Sequence, residues 1–105
     1  MTDGPILFVT LPGEPPMAFV EAMPDWDAFD ELIEYLVEHY SAEIAERIDG
    51  PDARRWVLKV RDQEFELWHD DVAGNSLVAT KPGAEELIRK IATDLESRLT
   101  SGESE

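Results

Sequence analysis

The spacing of apolar and polar positions along the chain predicts eight elements. Pro5-Ile6-Leu7-Phe8-Val9-Thr10-Leu11 is short, rich in β-branched and aromatic residues, and stops at Pro12-Gly13, which predicts a strand. Gly13-Glu14-Pro15-Pro16 is turn-forming, and Met17 to Ala22 predicts a second strand returning beside the first. Pro24-Asp25 then opens a helix with Asp25 as N-cap and Asp27 near the positive helix end. Phe29, Leu32, Ile33, Leu36, Val37 and Tyr40 follow at helical spacing. Ser41 to Ile48 fits two periods. Ile44 and Ile48 continue the helical stripe from Tyr40, whereas Ala42, Ile44 and Ile48 alternate as a strand before the turn Asp49-Gly50-Pro51-Asp52. A single helix from Trp26 to Asp49 would be long for a domain of this size, so a strand is expected.

The next hairpin has the clearest pattern. Arg55 to Arg61 and Glu64 to Asp70 flank a two-residue loop, Asp62-Gln63. That register sets Arg61 against Glu64, Val60 against Phe65, Lys59 against Glu66, Leu58 against Leu67, Val57 against Trp68 and Trp56 against His69. One face then reads Trp56, Leu58, Val60, Phe65 and Leu67, and the other carries the ion pairs Arg61–Glu64 and Lys59–Glu66. Asp70 to Asn75 is turn-rich, and Ser76 to Thr80 predicts a last short strand, broken by Lys81-Pro82-Gly83. A closing helix starts near Ala84, with Leu87, Ile88, Ile91, Leu95 and Leu99 as its apolar stripe. Residues 100–105 are polar and predict a disordered tail. The expected fold is a single α+β domain over residues 1–99: an antiparallel sheet with two helices packed on one face, in the order β-β-α-β-β-β-β-α.

Composition sharpens this. The chain has 105 residues, 43% of them hydrophobic, which is the size of one domain and enough apolar surface for a core. It has no cysteine, so disulfides and thiolate chemistry are excluded. No run of about 18 apolar residues exists to span a membrane. The first residues carry no basic segment of the kind that opens a signal peptide, and a cytoplasmic protein is expected.

Charge changes the picture most. Twenty-four acids face nine bases, a net of −15, and residues 1–50 hold 12 of the acids against one base, Arg47. Nucleic acid and anionic membrane would both be repelled, so neither is expected as a partner; the charge suits a basic protein partner, and equally an acidic surface that only keeps a small protein soluble. The acids concentrate on the first helix, where Asp27, Asp30, Glu31, Glu34 and Glu38 share the face opposite the apolar stripe, with no Lys or Arg within four residues. Acids spaced i, i+4 repel by a few tenths of a kcal/mol (about 0.2–0.5) per pair, so packing must hold this helix.

Candidate chemistry is sparse. Trp68-His69-Asp70-Asp71 sets an imidazole beside two carboxylates, the composition of a metal or acid–base site. On a strand, however, His69 and Asp70 point to opposite faces and only Asp71 shares the side of His69. A lone imidazole without a second ligand rarely holds a metal, so no metal site and no cofactor are expected. His39 at the end of the first helix complements the helix dipole. Ser41 and Ser76 lack a nucleophile-elbow context, and the glycines are isolated, so no phosphate-cradling glycine loop exists. Trp68 falls on the hairpin face away from the core, beside Val57, where an open aromatic would anchor an interface. The function expected is therefore a non-enzymatic, acidic protein-binding module, of an immunity-like inhibitor or chaperone-like kind, using Asp27, Asp30, Glu31, Glu34, Glu38 and Trp68. The alternative is a small enzyme or metal-binding protein centred on His69, Asp70 and Asp71.

Asp49-Gly50-Pro51-Asp52-Ala53-Arg54, then Trp68-His69-Asp70-Asp71, then Gly74-Asn75-Ser76, resemble small bacterial α+β proteins catalogued as domains of unknown function, over roughly residues 26–99. The resemblance implies no activity. Type III secretion chaperones share the small size and acidity but order their elements differently.

Overall fold

The computed structural model describes residues 6–23, 25–81 and 83–102; Pro5, Pro24, Pro82 and the last three residues of the expected tail lie outside them. The elements are β1 (Ile6–Val9), β2 (Met17–Val20), α1 (Trp26–Tyr40), β3 (Glu43–Asp49), β4 (Ala53–Val60), β5 (Gln63–Asp70), β6 (Gly74–Val78) and α2 (Ala84–Gly102). Their order is the expected one. The six strands form one sheet, β1-β2-β6-β5-β4-β3, in which every neighbouring pair is antiparallel.

One face of the sheet is the core. Ala18, Leu77, Leu67 and Trp56 lie side by side across β2, β6, β5 and β4, and Leu58 faces Phe65 in the next row. Both helices cover this face, α1 through Phe29, Leu32, Ile33 and Leu36, α2 through Ile88, Ile91, Ala92 and Leu95, and these side chains form a single buried cluster with the strand residues. Among the described residues, neither helix lies over the other face. Across β1, β2, β6 and β5 it is apolar, with Leu7, Val9, Met17, Phe19, Val78 and Trp68; across β4 and β3 it carries Arg55, Lys59, Glu43 and Glu46.

The ambiguous segment is a strand. Ser41 ends α1 in the left-handed region, at φ 53, with its N–H returned to Leu36 O. The chain then reverses into β3. A bulge between Ile44 and Glu46 shifts the alternation, so Ile44 sits opposite Leu58 and packs against the core while Ile48 reaches the open face, 43% exposed. Asp25 takes the N-cap position of α1 but its side chain makes no cap hydrogen bond. The closing helix runs past Leu99 to Gly102, into the segment expected to be a tail.

The β4–β5 hairpin differs from the expected register. The loop is Arg61-Asp62, and Val60 pairs with Gln63, Lys59 with Glu64, Leu58 with Phe65, Val57 with Glu66, Trp56 with Leu67 and Arg55 with Trp68. The slip is two residues, so every side chain keeps its face and the apolar pattern is satisfied equally by both registers. Turn geometry decides between them, with Arg61 at φ 59 in the first loop position. The ion pairs Arg61–Glu64 and Lys59–Glu66 are accordingly replaced: Glu64 stands 3.3 Å from Lys81 Nζ and Glu66 3.3 Å from Arg55 Nε.

The two helices meet at a polar knot. Tyr35 Oη and Tyr40 Oη both donate to Asp94 Oδ2, and Arg98 Nε reaches the same oxygen at 3.2 Å. The bonds from Tyr35 and Arg98 hold the Asp94 carboxyl below its usual range. Burial, then the bond to Asp94, pushes the Tyr35 phenol up, and burial pushes Tyr40 up. These are the chain's two tyrosines, so a spectrophotometric titration reads this knot alone. In the folded protein phenolate absorbance is expected only well above pH 10, and in denaturant near pH 10. Because both folded values are raised, the stability they contribute is full below pH 10 and is lost as pH climbs through the folded values. Coincident titrations in the two states would contradict the arrangement.

Candidate functional site

α1 carries its acids on the side turned away from the core, as its apolar stripe dictates. Asp27, Asp30, Glu31, Glu34 and Glu38 are all exposed. Among the described residues, Asp30 alone of these finds a base: its Oδ1 lies 3.2 Å from a terminal nitrogen of Arg54 on β4. Among the described residues the other four enter no ion pair. The i, i+4 pairs Asp27–Glu31, Asp30–Glu34 and Glu34–Glu38 therefore repel across solvent. Replacing Glu31 and Glu34 with Gln is expected to stabilise the fold by about 0.5–1 kcal/mol in a denaturant melt. Added salt is expected to stabilise the wild type more than the variant, since repulsion between exposed charges is screened over about 8–10 Å.

Arg54 is the residue the acid count conceals. It continues the inward alternation of Trp56, Leu58 and Val60, so its side chain enters the core face at the end of the sheet, where it is 11% exposed. Its guanidinium stacks over Phe29, Trp26 and Trp56 at 4.4, 4.8 and 4.9 Å, and Nε lies 3.2 Å from Asp49 Oδ1. The Trp56 indole donates to the same Asp49 oxygen at 2.8 Å, and that bond first, then Arg54, lowers the Asp49 carboxyl. One arginine thus ties the start of α1 to β3 and β4, and leaves Trp26, 40% exposed, as the aromatic that borders the acidic face.

His69 lies beside this stack, opposite Arg54 on the sheet and 4% exposed. Its Nδ1 is 2.8 Å from Asn75 Oδ1. The buried Asn75 amide donates from Nδ2 to Met23 O at 2.8 Å and Asp25 O at 3.1 Å, which leaves Oδ1 to accept and assigns the His69 proton to Nδ1. Nε2 is 3.7 Å from Asp71 Oδ1, and the Trp26 ring meets the imidazole edge-on at 5.1 Å. Asp70 turns the other way: Oδ1 accepts from the N–H groups of Val72 and Ala73, which lowers its carboxyl and closes the turn before β6. Of the suspected triad only His69 and Asp71 approach each other, and among the described residues no group of three His, Asp or Glu side chains is placed to hold a metal ion. The geometry makes His69 and Asn75 a buried brace for the segment that enters α1.

Trp68 sits on the open face, half-buried, with its indole N–H donating to Glu66 Oε1 at 2.7 Å and Arg55 over its ring at 5.6 Å. The sheet therefore separates it from the acidic helix, and the two expected contact features belong to opposite sides of the molecule. The residues sequence reasoning missed at the acidic side are Arg54 and Asn75. The signal for Arg54 was present, as the inward phase of the hairpin one step before Trp56.

Comparison with known proteins adds a family. Residues 16–90 match the family described as Protein of unknown function (DUF3630). The chain belongs to it. The match runs from the turn before β2 into α2, so it includes α1 with its acidic face and every strand but β1. No curated protein and no solved structure matches the chain. Among the described residues of this DUF3630 member, no helix is long and apolar enough to cross a membrane.

Proposed function

We propose that the protein is a non-enzymatic binding module that presents the acidic face of α1 to a basic protein partner in the cytosol. The observation that carries this reading is the persistence of the charge in three dimensions. Among the described residues, folding brings bases close to other acids, namely Asp49, Glu64, Glu66, Glu85 and Asp94, and on α1 to Asp30 alone. Asp27, Glu31, Glu34 and Glu38 remain exposed at a cost to folding, next to the half-exposed ring of Trp26. Surface charge of one sign chiefly accelerates encounter with a complementary partner, and an aromatic at the rim supplies the desolvated contact that charge alone lacks.

The test is parallel capture from native lysate with two baits, the wild-type chain and the chain carrying Glu31→Gln with Glu34→Gln. The reading expects a basic protein held by the first bait at low salt and depleted on the second. Equal recovery on both baits would remove the acidic helix from the interface.

A further inference from the structure

At the end of the domain away from Arg54, the C-terminus of α1, the β4–β5 turn and α2 line a cleft of about 760 Å³. Its lining is unlike the rest of this acidic chain. Three of the nine bases face it, Arg61, Lys90 and Arg98, and among the described residues Arg61 and Lys90 enter no ion pair. In a protein with 24 acids, a lining of three bases against two acids is a local excess of positive charge. Of the acids that line it, Asp94 is already bonded by Tyr35, Tyr40 and Arg98, which leaves Asp62. The carbonyl end of α1 also borders the cleft; Ser41 and Ala42 both return their N–H groups to Leu36 O, and Arg98 reaches the helix end at His39 Nδ1, 3.5 Å away.

A second observation is independent of charge. Among the described residues, the non-glycine positions with positive φ are Ser41 and Arg61, and both line this cleft. A left-handed backbone favours glycine at both places. Ser41 takes it as the C-cap of α1 and Arg61 as the first residue of the hairpin loop, so the two turns fix both residues at the rim of the cleft.

We propose that this cleft binds the phosphate group of a small phosphorylated molecule. The inference is separate from the docking of a basic protein on α1. Arg61 supplies a planar fork, Lys90 a point charge, and Ser41 and Gln63 neutral donors, so the lining suits an anion whose oxygens point in several directions. A carboxylate has two coplanar oxygens, which one arginine saturates, and it would gain little from the remaining donors. The volume is that of a small-metabolite site.

The test is a titration of the full chain, followed by amide chemical shifts at constant ionic strength, with inorganic phosphate, a hexose monophosphate and succinate. Saturable shifts at Ser41, Arg61, Gln63 and Lys90 with both phosphate probes are expected. A tighter ester identifies an organic ligand that fills the cleft, and equal affinities identify free phosphate. Arg61→Gly is the decisive variant, because glycine accepts the positive φ: its melting temperature is expected to hold or rise while phosphate affinity falls about tenfold, the loss of one charge-assisted contact. Lys90→Ala is expected to weaken binding similarly. Succinate binding as tightly as phosphate, no saturable shift at these residues, or unchanged affinity in Arg61→Gly would overturn the assignment.

Discussion

Leu58→Ala is expected to lower the unfolding free energy by about 2–5 kcal/mol, while Lys59→Ala lowers it by well under about 1 kcal/mol. The two residues are adjacent on β4 and alternate across the sheet. Leu58 is fully buried and faces Phe65, under the helix layer. Removing its side chain deletes apolar burial and leaves a cavity that the flanking strands cannot close. Lys59 lies on the open face opposite Glu64, whose carboxylate is 3.3 Å from Lys81 Nζ. Parallel denaturant melts compare them, and similar losses from both would mean that the helix layer covers the wrong face.

Asn75→Ala is expected to cost about 3 kcal/mol or more, although it removes only a small polar side chain. The amide makes three hydrogen bonds, to His69 Nδ1, Met23 O and Asp25 O. Truncation strands the His69 N–H in a site 4% exposed and unpins the chain where it enters α1. A buried donor left without a partner costs about 1–3 kcal/mol. The two side chains share one network, so the double substitution Asn75→Ala with His69→Ala is expected to cost less than the sum of the single ones, by about 1 kcal/mol. An Asn75→Ala protein within about 0.5 kcal/mol of wild type would contradict the brace.

What the sequence made legible follows from these same contacts. The helices and strands were readable because their apolar periods match the faces that became the core, from Phe29 to Leu36 on α1 and from Trp56 to Leu67 on the hairpin. Length placed β3, since a single helix from Trp26 to Asp49 would be long for this domain, while Gly50-Pro51 suits a turn whichever element precedes it. Three things escaped. The hairpin register did, because a two-residue slip leaves every side chain on the same face. The bulge before Glu46 did, because one extra residue inverts the phase of Ile48 without altering composition. The neighbourhood of β2 and β6 did, because pairing across some sixty residues has no local signature. At the candidate site the acidic face was legible as a charge pattern. Arg54 was hidden by counting only bases near in sequence, when the one that reaches Asp30 comes 24 residues later. Asn75 read as a turn residue, and its buried amide is visible only once Met23 and Asp25 are folded against it.

The acidic face of α1 stands as the central functional claim, and the most direct measurement of it is the association rate of the captured partner as a function of ionic strength. With the wild-type chain the rate constant should fall steeply as salt rises, because the charges that steer encounter are screened. With Glu31→Gln and Glu34→Gln it should be slower at low salt and should converge on the wild-type value at high salt, while the dissociation rate changes little. An association rate insensitive both to salt and to the double substitution would contradict the claim, and would leave the acidic excess as a solubility feature of a protein whose interface is the Val57–Trp68 side of the sheet.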